Sequence, residues 1–171
     1  MFTLYCADGP IHSLPAQAAR HSELLSTLML VDKDGTKQIS LPFVSAHVLP
    51  VLNWLEHHQN DEVFKPPTQR GFQPATLELS SWEDTFLRTL NKTPKYLFAV
   101  LHVAEYLGAE HLMQCGGYFI ALHLKGKSAK ECSEYMTVED DRTEEDELET
   151  ASPPPTDKKS PVNHGNRRRR R

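Results

Sequence analysis

Residues 102–128 read HVAEYLGAEHLMQCGGYFIALHLKGKS, and the fold turns on how they are read. Gly126-Lys127-Ser128 are the letters that close a phosphate-binding loop, whereas everything before them has the spacing of two apolar helices broken at Gly108. A phosphate loop follows a strand and carries a glycine five positions before its Gly-Lys-Ser, so that a row of backbone N–H groups faces the phosphate. Here Ala121 holds that position and the preceding segment is helical. The stretch therefore reads as a helix end followed by Ser128 capping a further short helix, and not as a nucleotide site.

Upstream, TPKYLFAVLHVAEYLG (93–108) has Thr93 as a cap, Pro94 at the first helical position and Gly108 as a stop. Leu97, Leu101 and Ala104 form one apolar stripe, and Tyr96, Val100, Val103 and Leu107 a second. A helix apolar on two sides is either enclosed in its own core or shared with a partner. The next helix repeats the trait, with Leu112, Cys115, Phe119 and Leu122 on one stripe and Met113, Ile120 and Leu124 on another. Gly116 and Gly117 in its middle each cost about 1 kcal/mol against alanine and predict a closely packed neighbour.

Earlier, MFTLYCADGPIHSLP predicts two antiparallel strands, about 2–6 and 11–14, around an Asp8-Gly9 turn. Helical spacing follows over AQAARHSELLSTLML, with Ser22 as a cap between two helices. A third strand is predicted at QISLP, with Ile39 and Leu41 on one face, and then a helix over 44–58 that is kinked at Pro50 or begins there. Residues 60–81 read as a flexible loop, and SWEDTFLRTL as a helix begun by a serine cap and first-turn acids, with Trp82, Phe86 and Leu87 on one flank.

The formal charge of −4 hides three zones. Residues 1–138 carry 11 Lys+Arg against 14 Asp+Glu; residues 139–151 carry one base and eight acids; the last twenty carry seven bases and one acid. The near-neutral total thus reflects opposed tails, and residues 139–171, acidic, then Pro-rich, then five arginines, are expected to be disordered. The arginine run beside that acidic stretch would give at most weak, salt-sensitive nucleic-acid binding. Three cysteines without paired spacing fit a reducing compartment, so the expected location is cytoplasmic, nuclear or both. There is no signal-peptide pattern and no membrane span of the roughly 18 apolar residues required.

Nine histidines raise the question of a metal. His111 and Cys115 lie one turn apart, but two ligands do not make a zinc site, and adjacent His57 and His58 point apart on a helix. No ligand set, catalytic signature or cofactor motif emerges from spacing, so no metal, no cofactor, no small-molecule substrate and no enzymatic activity are expected.

With these elements placed, the chain resembles the Skp family, the S-phase kinase-associated adaptors of cullin–F-box ubiquitin ligases. LYCADGPIHSLPAQAARHS, ISLPFVSAHVLPVLNWLEHHQND, WEDTFL and LFAVLHVAEYLGAEHLMQCGGYFIALHLKGKSAKE carry the likeness and cover most of residues 2–138. The resemblance implies an α/β fold of the POZ (BTB) type: a small three-stranded sheet covered by helices, with additional C-terminal helices. It divides the chain into a POZ-type domain at 1–107, a helical F-box-binding extension at 108–138, and the tail. It implies a non-enzymatic adaptor that links an F-box protein to a cullin N-terminal domain, or, in a one-sided form, binds F-box proteins without recruiting a cullin.

The cullin contact would fall on Glu105, which replaces the family's asparagine, and Tyr106. The F-box contact would fall on Leu101, Leu112, Cys115, Phe119, Leu122, Lys127, Cys132, Tyr135 and Met136. The chain departs from the family at Ala129–Cys132, where Pro-Glu-Glu-Ile is usual. The family's final tryptophan-bearing helix gives way to ASPPPTDKKSP.

Overall fold

The computed structural model describes residues 1–31, 37–65 and 78–136, all within one compact unit. Most of the expected 60–81 loop, the 32–36 turn and the 139–171 tail lie outside the described residues. Strands β1 (Phe2–Tyr5) and β2 (Ile11–Leu14) pair antiparallel, Phe2 opposite Leu14 and Tyr5 opposite Ile11. Strand β3 (Gln38–Ser40) joins the other edge of β1 in parallel, giving the order β2-β1-β3. Alternation along β1 buries Phe2 and Leu4 and leaves Thr3 and Tyr5 half covered, so one face of the sheet meets the core.

The Asp-Gly turn has two functions. Gly9, at φ 98°, takes the conformation that a side chain resists, and closes the hairpin through its N–H to the Cys6 carbonyl. Asp8 reaches across to accept the Ser45 N–H at 2.8 Å. It thereby satisfies an orphan donor in the first turn of α3 (Ser45–His57), whose own N-cap, Val44, offers no side-chain acceptor.

Helix α3 runs through Pro50. A proline N cannot bond the carbonyl four residues back, which frees the oxygen of Ala46. The Tyr96 hydroxyl donates to that oxygen at 2.8 Å from α5 (Pro94–Leu107), so the lost bond is replaced from a neighbouring helix.

Between β2 and β3 lie α1 (Ala16–Ala19) and α2 (Glu23–Val31). Ser22 is the expected cap: its Oγ accepts the Leu25 N–H, and its hydroxyl donates to the Leu107 carbonyl at the end of α5. The Glu23 N–H bonds the Gly108 carbonyl at 3.1 Å. Gly108 sits at φ 65°, and a Cβ there would stand 2.7 Å from the Glu23 Cβ, so only glycine permits this junction. Helix α4 (Ser81–Leu90) is capped one residue earlier than expected, by Ser80, in a reciprocal box: Ser80 Oγ accepts the Glu83 N–H, while Glu83 Oε2 accepts the Ser80 N–H. Thr93 occupies the cap of α5, but its side chain makes no capping bond there.

Helix α5 is the axis of the protein. Leu97, Val100, Leu101, Val103, Ala104 and Leu107 are all buried, and α2, α3, α4, α6 (Glu110–Leu124) and α7 (Ala129–Met136) pack around it. Both of its apolar stripes are therefore satisfied within the chain, and the enclosed alternative holds. The two glycines of α6 divide. A Cβ on Gly116 would meet Leu101 Cδ2 at 2.6 Å, which makes α5 the predicted close neighbour, whereas one on Gly117 would meet nothing within 4 Å. Trp54 of α3 fills the middle of the core. No helix among the described residues is long and apolar enough to cross a membrane.

Candidate partner-binding surfaces

One exposed cluster forms where α5 passes the connection between β3 and α3. His102, Glu105 and Tyr106 stand three and four residues apart, on the edge of α5 left free by the core stripes. Phe43 packs edge-on against the His102 ring (centroids 5.5 Å) and the Tyr106 ring (5.1 Å), propping both. Tyr106 remains 46% exposed, a large amount for an aromatic held at a fixed angle. Glu105 extends into solvent, its Oε2 3.7 Å from His102 Nδ1, an exposed pair worth at most about 1 kcal/mol. The cluster pairs a propped aromatic ring with an exposed carboxylate.

A second surface forms where α6 and α7 meet. Gly126, at φ 82°, turns the chain out of α6, and Ser128 opens α7 through a second reciprocal box: Glu131 Oε2 accepts the Ser128 N–H at 2.8 Å while Ser128 Oγ accepts the Glu131 N–H. The Ser128 bonds hold the Glu131 carboxyl below the usual range. The Lys127 N–H is committed to the Leu124 carbonyl. The Lys127 and Ser128 amides thus serve a turn and a cap, as the sequence indicates, and are not turned toward a phosphate.

Helix α7 contains no buried residue. Tyr135 clamps it: its hydroxyl donates to Asn91 Oδ1 at 2.6 Å and its ring packs on His123 and Phe98. Burial raises the Tyr135 phenol above its ordinary value, partly offset by that hydrogen bond. Met136 at the end of α7 is 38% exposed and Leu122 at the end of α6 is 49% exposed. A pocket of about 470 Å³ at this end is lined by Phe119, Leu122 and Lys127, with Asp84 and Arg88 of α4 on its rim.

The residues that the resemblance pointed to therefore separate. Glu105 and Tyr106 come together on the first surface. Phe119, Leu122 and Lys127 share the pocket; Cys132, Tyr135 and Met136 line α7, with Cys132 half covered. Leu101, Leu112 and Cys115 lie inside the protein's own core, where they support the surface instead of forming it, because α6 turns that stripe onto α5 and α4. Burial pushes the Cys115 thiol up to about 12, with the Glu83 carboxylate adding to the shift. The complementary stripe, Met113, Ile120 and Leu124, is only half buried and flanks the open Gly117. Sequence spacing identified that stripe as apolar; only packing reveals that the core covers it in part, with Met113 and Ile120 resting against it.

Comparison with known proteins gives no matching family model. Among curated proteins, the chain is similar to the E3 ubiquitin ligase complex SCF subunit sconC of Emericella nidulans, 29% identical over 148 residues, covering 86% of this chain and 89% of that one. The protein of the same name from Arthroderma benhamiae is 27% identical over 146 residues, covering 85% and 87%. A Skp1-related protein of Caenorhabditis elegans is 28% identical over 148 residues, covering 82% of each chain. Relatives of one kind, each matched over more than four fifths of its length, support a divergent member of the Skp family.

Proposed function

We propose that the protein is a non-enzymatic adaptor of an E3 ubiquitin ligase, holding an F-box substrate receptor on α6 and α7 and a cullin N-terminal domain on the Tyr106 face. In this reading the sheet with α1–α5 is a POZ-type domain spanning residues 1–107, and residues 108–138 are its F-box-binding extension, acting in the cytoplasm or nucleus. The observation that carries it is α7: an amphipathic helix with no buried residue, held through Tyr135 against His123 and Phe98, needs a further apolar cover. The relatives' names as SCF subunits support the same assembly.

A one-sided adaptor that holds F-box proteins without a cullin is the second reading. Glu105 favours it, since a carboxylate drawn into a contact without a cationic partner costs several kcal/mol.

Paired titrations test the proposal, one with an isolated F-box domain and one with a cullin N-terminal domain. Binding to both is the expected outcome. Binding to the F-box alone supports the one-sided form, and binding to neither removes the adaptor reading.

A further inference from the structure

Away from both surfaces, three side chains from three helices converge. His58 follows the last turn of α3, Glu83 lies in the first turn of α4 and His111 in the first turn of α6. His58 Nε2, Glu83 Oε1 and His111 Nε2 all lie within 4.8 Å of one another. Glu83 Oε1 is 3.7 Å from His58 Nε2 and 3.4 Å from His111 Nε2. Both separations exceed the 2.7–3.2 Å of an N–H···O hydrogen bond. They lie close to the spacing of about 3.3 Å between neighbouring ligands of a tetrahedral ion with bonds of about 2.0–2.1 Å.

His58 Nε2 is buried and makes no hydrogen bond, on a side chain only 8% exposed. Folds rarely leave such an atom without a partner. The surrounding bonds also hold the ligands in place. Asp61 Oδ2 takes the other ring nitrogen of His58, Nδ1, at 2.7 Å, which places the ring proton there and turns the Nε2 lone pair toward Glu83. Ser80 fixes Glu83 Oε2 at 2.6 Å and leaves Oε1 for the histidines. Trp54 packs on both imidazoles and Phe64 stacks on that of His111, which restrains the rings.

We propose that His58, Glu83 and His111 bind a divalent transition-metal ion, zinc foremost, which ties the end of α3 to the starts of α4 and α6. Two imidazoles and one carboxylate suit zinc, whereas calcium and magnesium require oxygen ligands. The fourth position falls to water. His111 also lines a surface pocket of about 380 Å³ with His21, Phe64 and Glu110, which gives the ion a route in. Cys115, one turn along from His111, is not part of the set.

The test uses the full chain, stripped with a chelator and titrated with zinc chloride, and separately with cobalt(II). The expected result is one tight equivalent per chain, visible d–d bands of a tetrahedral cobalt centre, and a melting temperature raised by about 8 °C at 100-fold zinc over Kd. His111→Ala keeps its circular dichroism and weakens the tight site by more than about 100-fold; Asp61→Asn, which only orients a ligand, weakens it about 10–100-fold. His47→Ala, at a histidine of α3 outside the cluster, keeps the site intact. Should His111→Ala fail to fold, the exposed Asp61→Asn decides alone. The proposal is overturned by the absence of a tight equivalent, or by a tight equivalent that Asp61→Asn leaves unchanged, which would place the metal on other histidines.

Discussion

Gly116 and Gly117 are neighbours in α6, yet the structure predicts unequal effects when each becomes alanine. Both changes gain the same intrinsic helix preference, about 1 kcal/mol. At Gly117 the new methyl meets nothing within 4 Å, so that gain stands and the melting temperature rises by about 4 °C. At Gly116 the methyl arrives 2.6 Å from Leu101 Cδ2 and 3.1 Å from Cδ1, roughly 1 Å inside normal carbon contact. Leu101 is enclosed by the core and yields only by straining its rotamer or spreading α5 from α6, at about 1–3 kcal/mol.

The propensity gain is common to both variants, so the difference between them isolates that steric cost: Gly116→Ala is less stable than Gly117→Ala by about 1–3 kcal/mol. Urea denaturation of the two proteins measures it directly, and a double-mutant cycle with Leu101→Ala checks its origin, since trimming Leu101 should abolish the difference. Equal stabilities, or a difference that survives the loss of Leu101, would refute the packing of α6 on α5 described here. Under the proposed function, Gly117→Ala also weakens F-box capture while stabilising the free protein, a dissociation that a purely structural glycine would not give.

Tyr106→Lys weakens binding of a cullin N-terminal domain by about 2 kcal/mol or more and spares F-box binding, read by paired calorimetric titrations; equal loss of both would misplace the surfaces. In the native protein Cys132 is alkylated by iodoacetamide first, while Cys115, buried and with its thiol raised to about 12, reacts only on unfolding; mass spectrometry of the labelled peptides reads the order. Ser22→Ala orphans the Leu107 carbonyl and the Leu25 N–H at a fully buried site, and lowers stability by about 2 kcal/mol in the same urea assay.

Much of this was legible in the sequence because the signals are local. Asp8-Gly9 specifies its hairpin, Pro94 and Gly108 bracket α5, and Ser128 with Glu131 announces α7, each within a few residues of chain. Periodicity also identified the apolar stripes of α5 and α6, but not what covers them. A stripe records that a face is dry and carries no information on whether the chain itself or a visitor dries it, so Leu101, Leu112 and Cys115 were as eligible for a partner as Met113 and Ile120. The His58–Glu83–His111 cluster was illegible for a related reason. Its members stand on three helices separated by long stretches of chain, outside any ligand spacing, and Glu83 already had a sufficient local explanation as a capping acid. The rescue of the Ala46 carbonyl by Tyr96 is of the same kind: sequence gives the missing donor at Pro50, and only the fold supplies the replacement.

The junction of Ser22 and Glu23 with Leu107 and Gly108 has a consequence for how this chain can change. The start of α2 and the end of α5 each supply what the other lacks, a hydroxyl and an N–H on one side against two carbonyls on the other. A recombination point anywhere between residues 23 and 107 would take the two halves of this clasp from different parents. Inheritance through such crossovers is tolerable only where both parents keep a small hydroxyl residue and a glycine at these positions. In any graft between this protein and a relative, the two ends must therefore travel together, although most of the domain separates them along the chain.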